Sequence, residues 1–196
     1  MSNIYNLFKF LEKKKGTRIP ITLKFAHAPE ELTDEELNWK GSLNLANTKI
    51  KSLPDNLKVE GNLDVSYTKI KSLPDGLKVG GGLNLEDTKI KSLPDNLKVR
   101  GDLNLTYNNI TSLPDGLKVR GDLGLLFTKI TSLPDNLKVG GNLNLNHSSI
   151  SSLPNNLQVE KDLYLQFTPL AKKYDKGKII KMLLDKGGYF KGNLYV

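Results

Sequence analysis

Apolar residues recur along this chain with a period of twenty. Units begin at Gly41, Gly61, Gly81, Gly101, Gly121 and Gly141 and follow GxLxLxxTxIxSLPxxLxVx with few departures; a seventh begins at Lys161 and then breaks away. The first apolar pair of each unit, from Leu43 and Leu45 through Leu63 and Val65 to Leu163 and Leu165, alternates at period two, as a strand with one buried face does. A lone strand of this size is unstable in water. It must pair with its equivalent in the next unit, which predicts a parallel sheet with rungs ~4.8 Å apart. Stability then comes from stacking coil on coil.

The rest of each unit completes the coil. The column Ile50, Ile70, Ile90, Ile110, Ile130 and Ile150, the Leu of SLP and the LxV pair bring the inward side chains to six per turn. At ~1.5–3 kcal/mol for each fully buried aliphatic chain, this reads as a core rather than a ligand cavity. Pro-Asp-Asn or Pro-Asp-Gly (Pro54 to Asn56, Pro74 to Gly76 and onward) predicts a corner, because Pro presets φ and Asn or Gly tolerates left-handed φ. Thr48, Thr68, Thr88, Asn108, Thr128 and Ser148 are the expected hydrogen-bonding ladder where the chain leaves the strand.

These motifs resemble leucine-rich repeats of the short bacterial 20-residue kind, with a strand followed by an LPxxL corner, over residues 41–168. The pattern departs from the usual one: a Val stands one place before the expected first Leu, a Gly follows it, and Thr mostly replaces Asn. The stretch from Pro169 to Val196 resembles the ending of small repeat proteins of bacteriophages, which implies action inside a bacterial host. The expected fold is an α/β repeat: a single-domain leucine-rich-repeat solenoid with one parallel β-sheet, an extended, turn-rich convex side and helical N- and C-terminal caps.

The ends should be atypical, since a solenoid leaves core and sheet edges open. Residues 1–40 read as an N-terminal cap. Ile4, Leu7, Phe8 and Leu11 make a helical stripe over residues 3–15, a strand is predicted near Ile21 to Phe25, Pro29 to Leu32 mimics the PDNL corner, and Thr33 with Glu36 fits a capping box. Residues 41–160 are six repeats, and 161–196 an enlarged seventh coil. In that coil residues 175–185 form a helix ended by Gly187-Gly188, and residues 190–196 repeat VxGxLxL with Phe190 for Val, giving a closing strand.

Charge changes the picture only when divided. The net +8 separates into +1 for residues 1–40, +2 for 41–168 and +5 for 169–196, so the repeats are nearly neutral as a segment. No run approaches the ~20 apolar residues of a membrane-spanning helix, and no leader pattern opens the chain. A cytoplasmic protein with no membrane partner is expected. The absence of cysteine removes disulfides, thiolate nucleophiles and Cys-ligated zinc. With His27 and His147 as the only imidazoles, and no phosphate loop or nucleophile elbow, a non-catalytic protein without metal or cofactor is expected.

Partner binding should use the outward places of the sheet and its rim. The fourth place holds Asn44, Asp64, Asn84, Asn104, Gly124, Asn144 and Tyr164; the seventh holds Asn47, Tyr67, Asp87, Tyr107, Phe127, His147 and Phe167. With Leu126, the aromatic members are candidate anchors for a protein partner, since they vary between units otherwise nearly identical. Rim packing against neighbours is the alternative reading. For the Asn column the alternative is a structural amide ladder along the stack. Lysines form stripes at the ninth, eleventh and eighteenth places. With Lys172, Lys173, Lys176, Lys178 and Lys181 of the basic end they could track the phosphates of a nucleic acid, or simply form a solvated surface. Oligomeric state is not legible from these residues.

Overall fold

A computed structural model describes residues 3–16, 18–95 and 97–196. The repeats form a parallel solenoid in which each unit sits one rung beyond the last, with Leu43 paired to Leu63, Leu63 to Leu83 and so on to Leu143 with Leu163. The expected single sheet is joined by a second. One eight-stranded parallel sheet is built from the Leu-x-Leu segments, Leu43–Asn44 to Leu194–Tyr195; another is built from Asn38–Trp39, the Lys-Val pairs such as Lys58–Val59, and Tyr189–Phe190. The reason lies in the LxV pair, which alternates inward and outward like LxL: Leu57 and Val59 are buried and Lys58 is exposed between them. Its backbone is therefore free to pair with the next coil, as Lys78 N–H and Gly80 N–H do with the carbonyls of Leu57 and Val59 (3.2 and 2.8 Å).

The corner between the two sheets explains the glycine that opens five of the six repeats, from Gly61 to Gly141. A Cβ on Gly101 would lie 2.7 Å from the backbone nitrogen of Gly82 and 2.8 Å from the carbonyl carbon of Gly81, so successive coils approach too closely for a side chain there. At the opposite corner the turn chemistry is as predicted: Asn56, Asn136 and Asn156 have φ of 61°, 61° and 53°, and Gly76 and Gly116 have 80° and 74°. Asn96, the equivalent of Asn56, lies outside the described residues. All six inward places per coil are buried and form one continuous core from Phe25 to Leu194.

Both ends carry helices. At the start, α1 (Asn3–Lys15) and α2 (Ile21–His27) pack around a small separate cluster of Tyr5, Ile19 and Ala28. The strand expected near Ile21 to Phe25 is thus a correction: β-branched residues suggested extension, but the segment is the helix α2, which buries Phe25 in the main core and leaves Ile21 and Ala26 partly buried against it. Pro29–Glu31 forms a single tight helical turn, and the capping box of Thr33 and Glu36 opens α3 (Asp34–Leu37) with both reciprocal hydrogen bonds present. Lys24 bonds Glu36 at 2.8 Å, tying α2 to that turn.

At the finish, the rung from Leu163 to Leu194 takes 31 residues in place of 20, and Phe190 pairs with Val159. The added length is α4 (Pro169–Lys173), capped by Thr168, and α5 (Lys176–Asp185), capped by Asp175. Gly187, at φ 73°, ends α5: its N–H bonds Leu184 O and the N–H of Gly188 bonds Leu183 O, the paired bonds of a Schellman ending. Among the described residues, no helix is long and apolar enough to cross a membrane.

Candidate recognition face

The seventh place of every unit is in left-handed conformation. Asn47, Tyr67, Asp87, Tyr107, Phe127, His147 and Phe167 have φ between 45° and 62°. The chain must turn there because the strand ends while its amides keep bonding across rungs; Tyr107 N–H, for instance, donates to Leu126 O at 3.0 Å. Just beneath, the eighth place supplies the buried ladder read from sequence. Thr48, Thr68, Thr88, Thr128 and Thr168 each donate to the carbonyl three residues back, and Asn108 Nδ2 reaches both Leu85 O (2.7 Å) and Leu105 O (3.1 Å). Ser148 differs, accepting a long bond from Ile150 N–H.

Left-handed φ suits Asn, Asp and Gly; for a phenyl or phenol side chain it is strained. Four units nevertheless carry rings that form one continuous stack. Tyr107 and Phe127 lie 4.9 Å apart at 7°, Phe127 and His147 4.4 Å at 18°, and His147 and Phe167 4.4 Å at 14°. The rings cover each other's faces and leave their edges in solvent, so Tyr107, Phe127 and Phe167 remain 51%, 43% and 63% exposed. Tyr67 stands apart, since Asp87 interrupts the column; its hydroxyl bonds Glu86 at 2.6 Å, which pushes its pKa up. Leu126 is half-buried beside the stack. The rings thus pack on one another along the rim while their edges stay exposed.

The fourth-place column behaves as backbone chemistry. The side-chain oxygens of Asn44, Asp64, Asn84, Asn104 and Asn144 each accept from the amide two residues on, capping the strand. Only Asn84 and Asn104 bond each other, at 3.1 Å. Tyr164 stacks on Tyr195 of the closing strand (4.6 Å, 6°) and bonds Asp162, and burial followed by that bond pushes its hydroxyl pKa up.

A second-place ladder was not singled out by sequence reasoning. Ser42, Asn62, Asp102, Asp122, Asn142 and Asp162 each accept the backbone N–H of the second place one rung on. The signal was present, since every one of these residues carries a short oxygen acceptor, with Gly82 the one gap. Asp162 holds the closing strand through Asn193 N–H, which is the first cause of its lowered pKa.

The lysines of the basic end, Lys172 and Lys173 on α4 and Lys176, Lys178 and Lys181 on α5, are all exposed and lie on a different part of the coil from the aromatic stack. At the N-terminal cap, Arg18, Lys24, Glu36, Trp39 and Lys40 line an open cleft of about 570 Å³ that the sequence did not suggest. Its walls carry both signs of charge. No protein-family model matches the chain, and no curated protein sequence does either.

Proposed function

We propose that the chain is a non-catalytic protein-interaction module of the leucine-rich-repeat class, which docks a protein partner on the aromatic rim and the sheet face beside it. The observation that carries this reading is the stack of Tyr107, Phe127, His147 and Phe167: rings held at left-handed φ and kept largely in water. Folding alone is served at this place by Asn47, so the rings are strained substitutions for a residue the fold already accepts. Exposed, pre-ordered aromatics are effective anchors because they lose little freedom on binding. The resemblance of the C-terminal stretch to phage repeat proteins supports a phage-encoded protein acting on a host factor in the bacterial cytoplasm.

The test is affinity capture from bacterial lysate with the intact chain and with a Tyr107→Asn, Phe127→Asn double variant. Asn is chosen because Asn47 occupies the same conformation, so the fold is kept. The partner band should disappear with the variant while its thermal melt remains cooperative. Equal capture by both proteins would remove the rim from the interface.

A further inference from the structure

The outward face of the Lys-Val sheet carries a second feature. Lys58, Lys78, Lys98, Lys118 and Lys138 occupy the same place on five consecutive rungs, with Lys58 registered on Lys78, Lys78 on Lys98 and Lys118 on Lys138. The pairing of Val99 with Val119 continues the column across its middle. All five are exposed, and none has an ion pair among the described residues.

Like charges facing each other on neighbouring strands are unfavourable. The outward place two residues on does nothing to relieve this in the middle of the sheet. There it holds Gly80, Arg100, Arg120 and Gly140; acidic residues appear only at the ends, where Glu60 is paired with Lys40 and Glu160 with Lys191. The centre of the face is thus a row of lysines flanked by Arg100 and Arg120, with no ion pair among the described residues, bounded by neutralised ends.

We infer that this face binds the phosphate backbone of double-stranded nucleic acid without reading its bases. Four rungs at ~4.8 Å give a row of roughly 19 Å, long enough to meet about three to four phosphates where one strand of a duplex, with successive phosphates ~7 Å apart, passes it. The row is rigid because it is mounted on a sheet. A duplex is also stiff over this length, so the two backbones meet already ordered and only the lysine side chains lose freedom. A single strand would have to be straightened, and the central rows offer no aromatic ring to stack its bases in return. An anionic bilayer is also flat, but no apolar side chain stands among these cations to enter it.

The experiment is fluorescence anisotropy of the full chain with a labelled DNA duplex of arbitrary sequence, titrated across salt. Contacts to about four phosphates give a log–log salt slope between about −3 and −5 and roughly a 100-fold affinity loss between about 50 and 200 mM salt. The variant Lys78→Glu, Lys98→Glu, Lys118→Glu should weaken binding at least 10-fold more than Lys176→Glu, Lys178→Glu, Lys181→Glu, which changes net charge equally on α5. If the first variant does not give a cooperative melt, the same three lysines are changed to Gln and should show the same order. Absence of duplex binding at the lower salt, equal loss from both variants, tighter binding of a single strand of equal length, or preference for anionic phosphatidylserine vesicles would each overturn the assignment.

Discussion

The seventh-place and eighteenth-place columns climb the same solenoid with the same ~4.8 Å rise, yet neighbours attract in the first and repel in the second. Rings at that spacing stack, so Tyr107, Phe127, His147 and Phe167 hold one another. Lysines at that spacing face like charge, and Lys58 to Lys138 make no ion pair among the described residues. A repeat therefore does not give every column the same meaning. The aromatic column has part of its explanation inside the molecule, in stacking, and part outside it, in the strain and exposure of its backbone and rings. The lysine column finds none inside.

The largest expected effect comes from undermining one column and sparing the other. Asn108 is buried beneath the aromatic rim, bonded to two carbonyls and to Thr88. Asn108→Ala leaves buried acceptors unmet and should cost ~1–3 kcal/mol in chemical denaturation, with accelerated amide exchange around Tyr107 before the Lys-Val strands. A smaller effect is expected for Phe127→Asn. It forfeits two stacking contacts at ~0.5–1.5 kcal/mol each but relieves the left-handed backbone, so the net loss should stay near ~1 kcal/mol. A much larger loss would make the ring a structural element and weaken its reading as an anchor.

Smaller still, and opposite in sign, is Lys98→Gln. Removing the middle charge of the column should stabilise the chain by ~0.2–1 kcal/mol at low ionic strength, and the gain should vanish as salt is raised. Destabilisation at low salt would show that the lysines do not repel.

The least effect, visible mainly in acid, concerns the corner between the sheets. The folded pKa of Asp162 is depressed below its ordinary 3.8, first by the N–H of Asn193. Its contribution is therefore complete above the ordinary value and is lost as pH falls through the depressed one. Wild-type chain should lose more of its closing-strand protection between roughly pH 5 and pH 2 than Asp162→Asn, in which the amide oxygen accepts at any pH as that of Asn62 does.

Much of the architecture was legible because the repeat states each place several times over. The inward Leu, Ile and Val columns, the corner with Asn or Gly at positive φ and the buried Thr ladder follow from residue type and period alone. The second sheet was missed because the LxV pair, although it alternates over as short a strand as LxL, reads equally well as core filling on an extended convex side. Ile21 to Phe25 misled for a related reason: apolar residues with Thr22 suit a strand locally, and only packing of Phe25 on the main core and of Leu23 on the cluster around Tyr5 favours a helix. At the candidate site, which rings share a column was legible, whereas their left-handed backbone was not, because Tyr and Phe hide a preference that Asn47 and Asp87 reveal. Charge was obscured differently. Adding it along the chain made the repeats nearly neutral, while the strand register lines up the eighteenth-place lysines of successive coils.

The central claim is that recognition belongs to the stacked aromatic column. Hydroxyl-radical footprinting of the chain, free and with its captured partner, reads the rings directly. The account predicts strong protection of Tyr107, Phe127 and Phe167 in the complex with Tyr174 and Tyr189 unchanged. Rings labelled equally in both states, with protection confined to the helical ends, would contradict it.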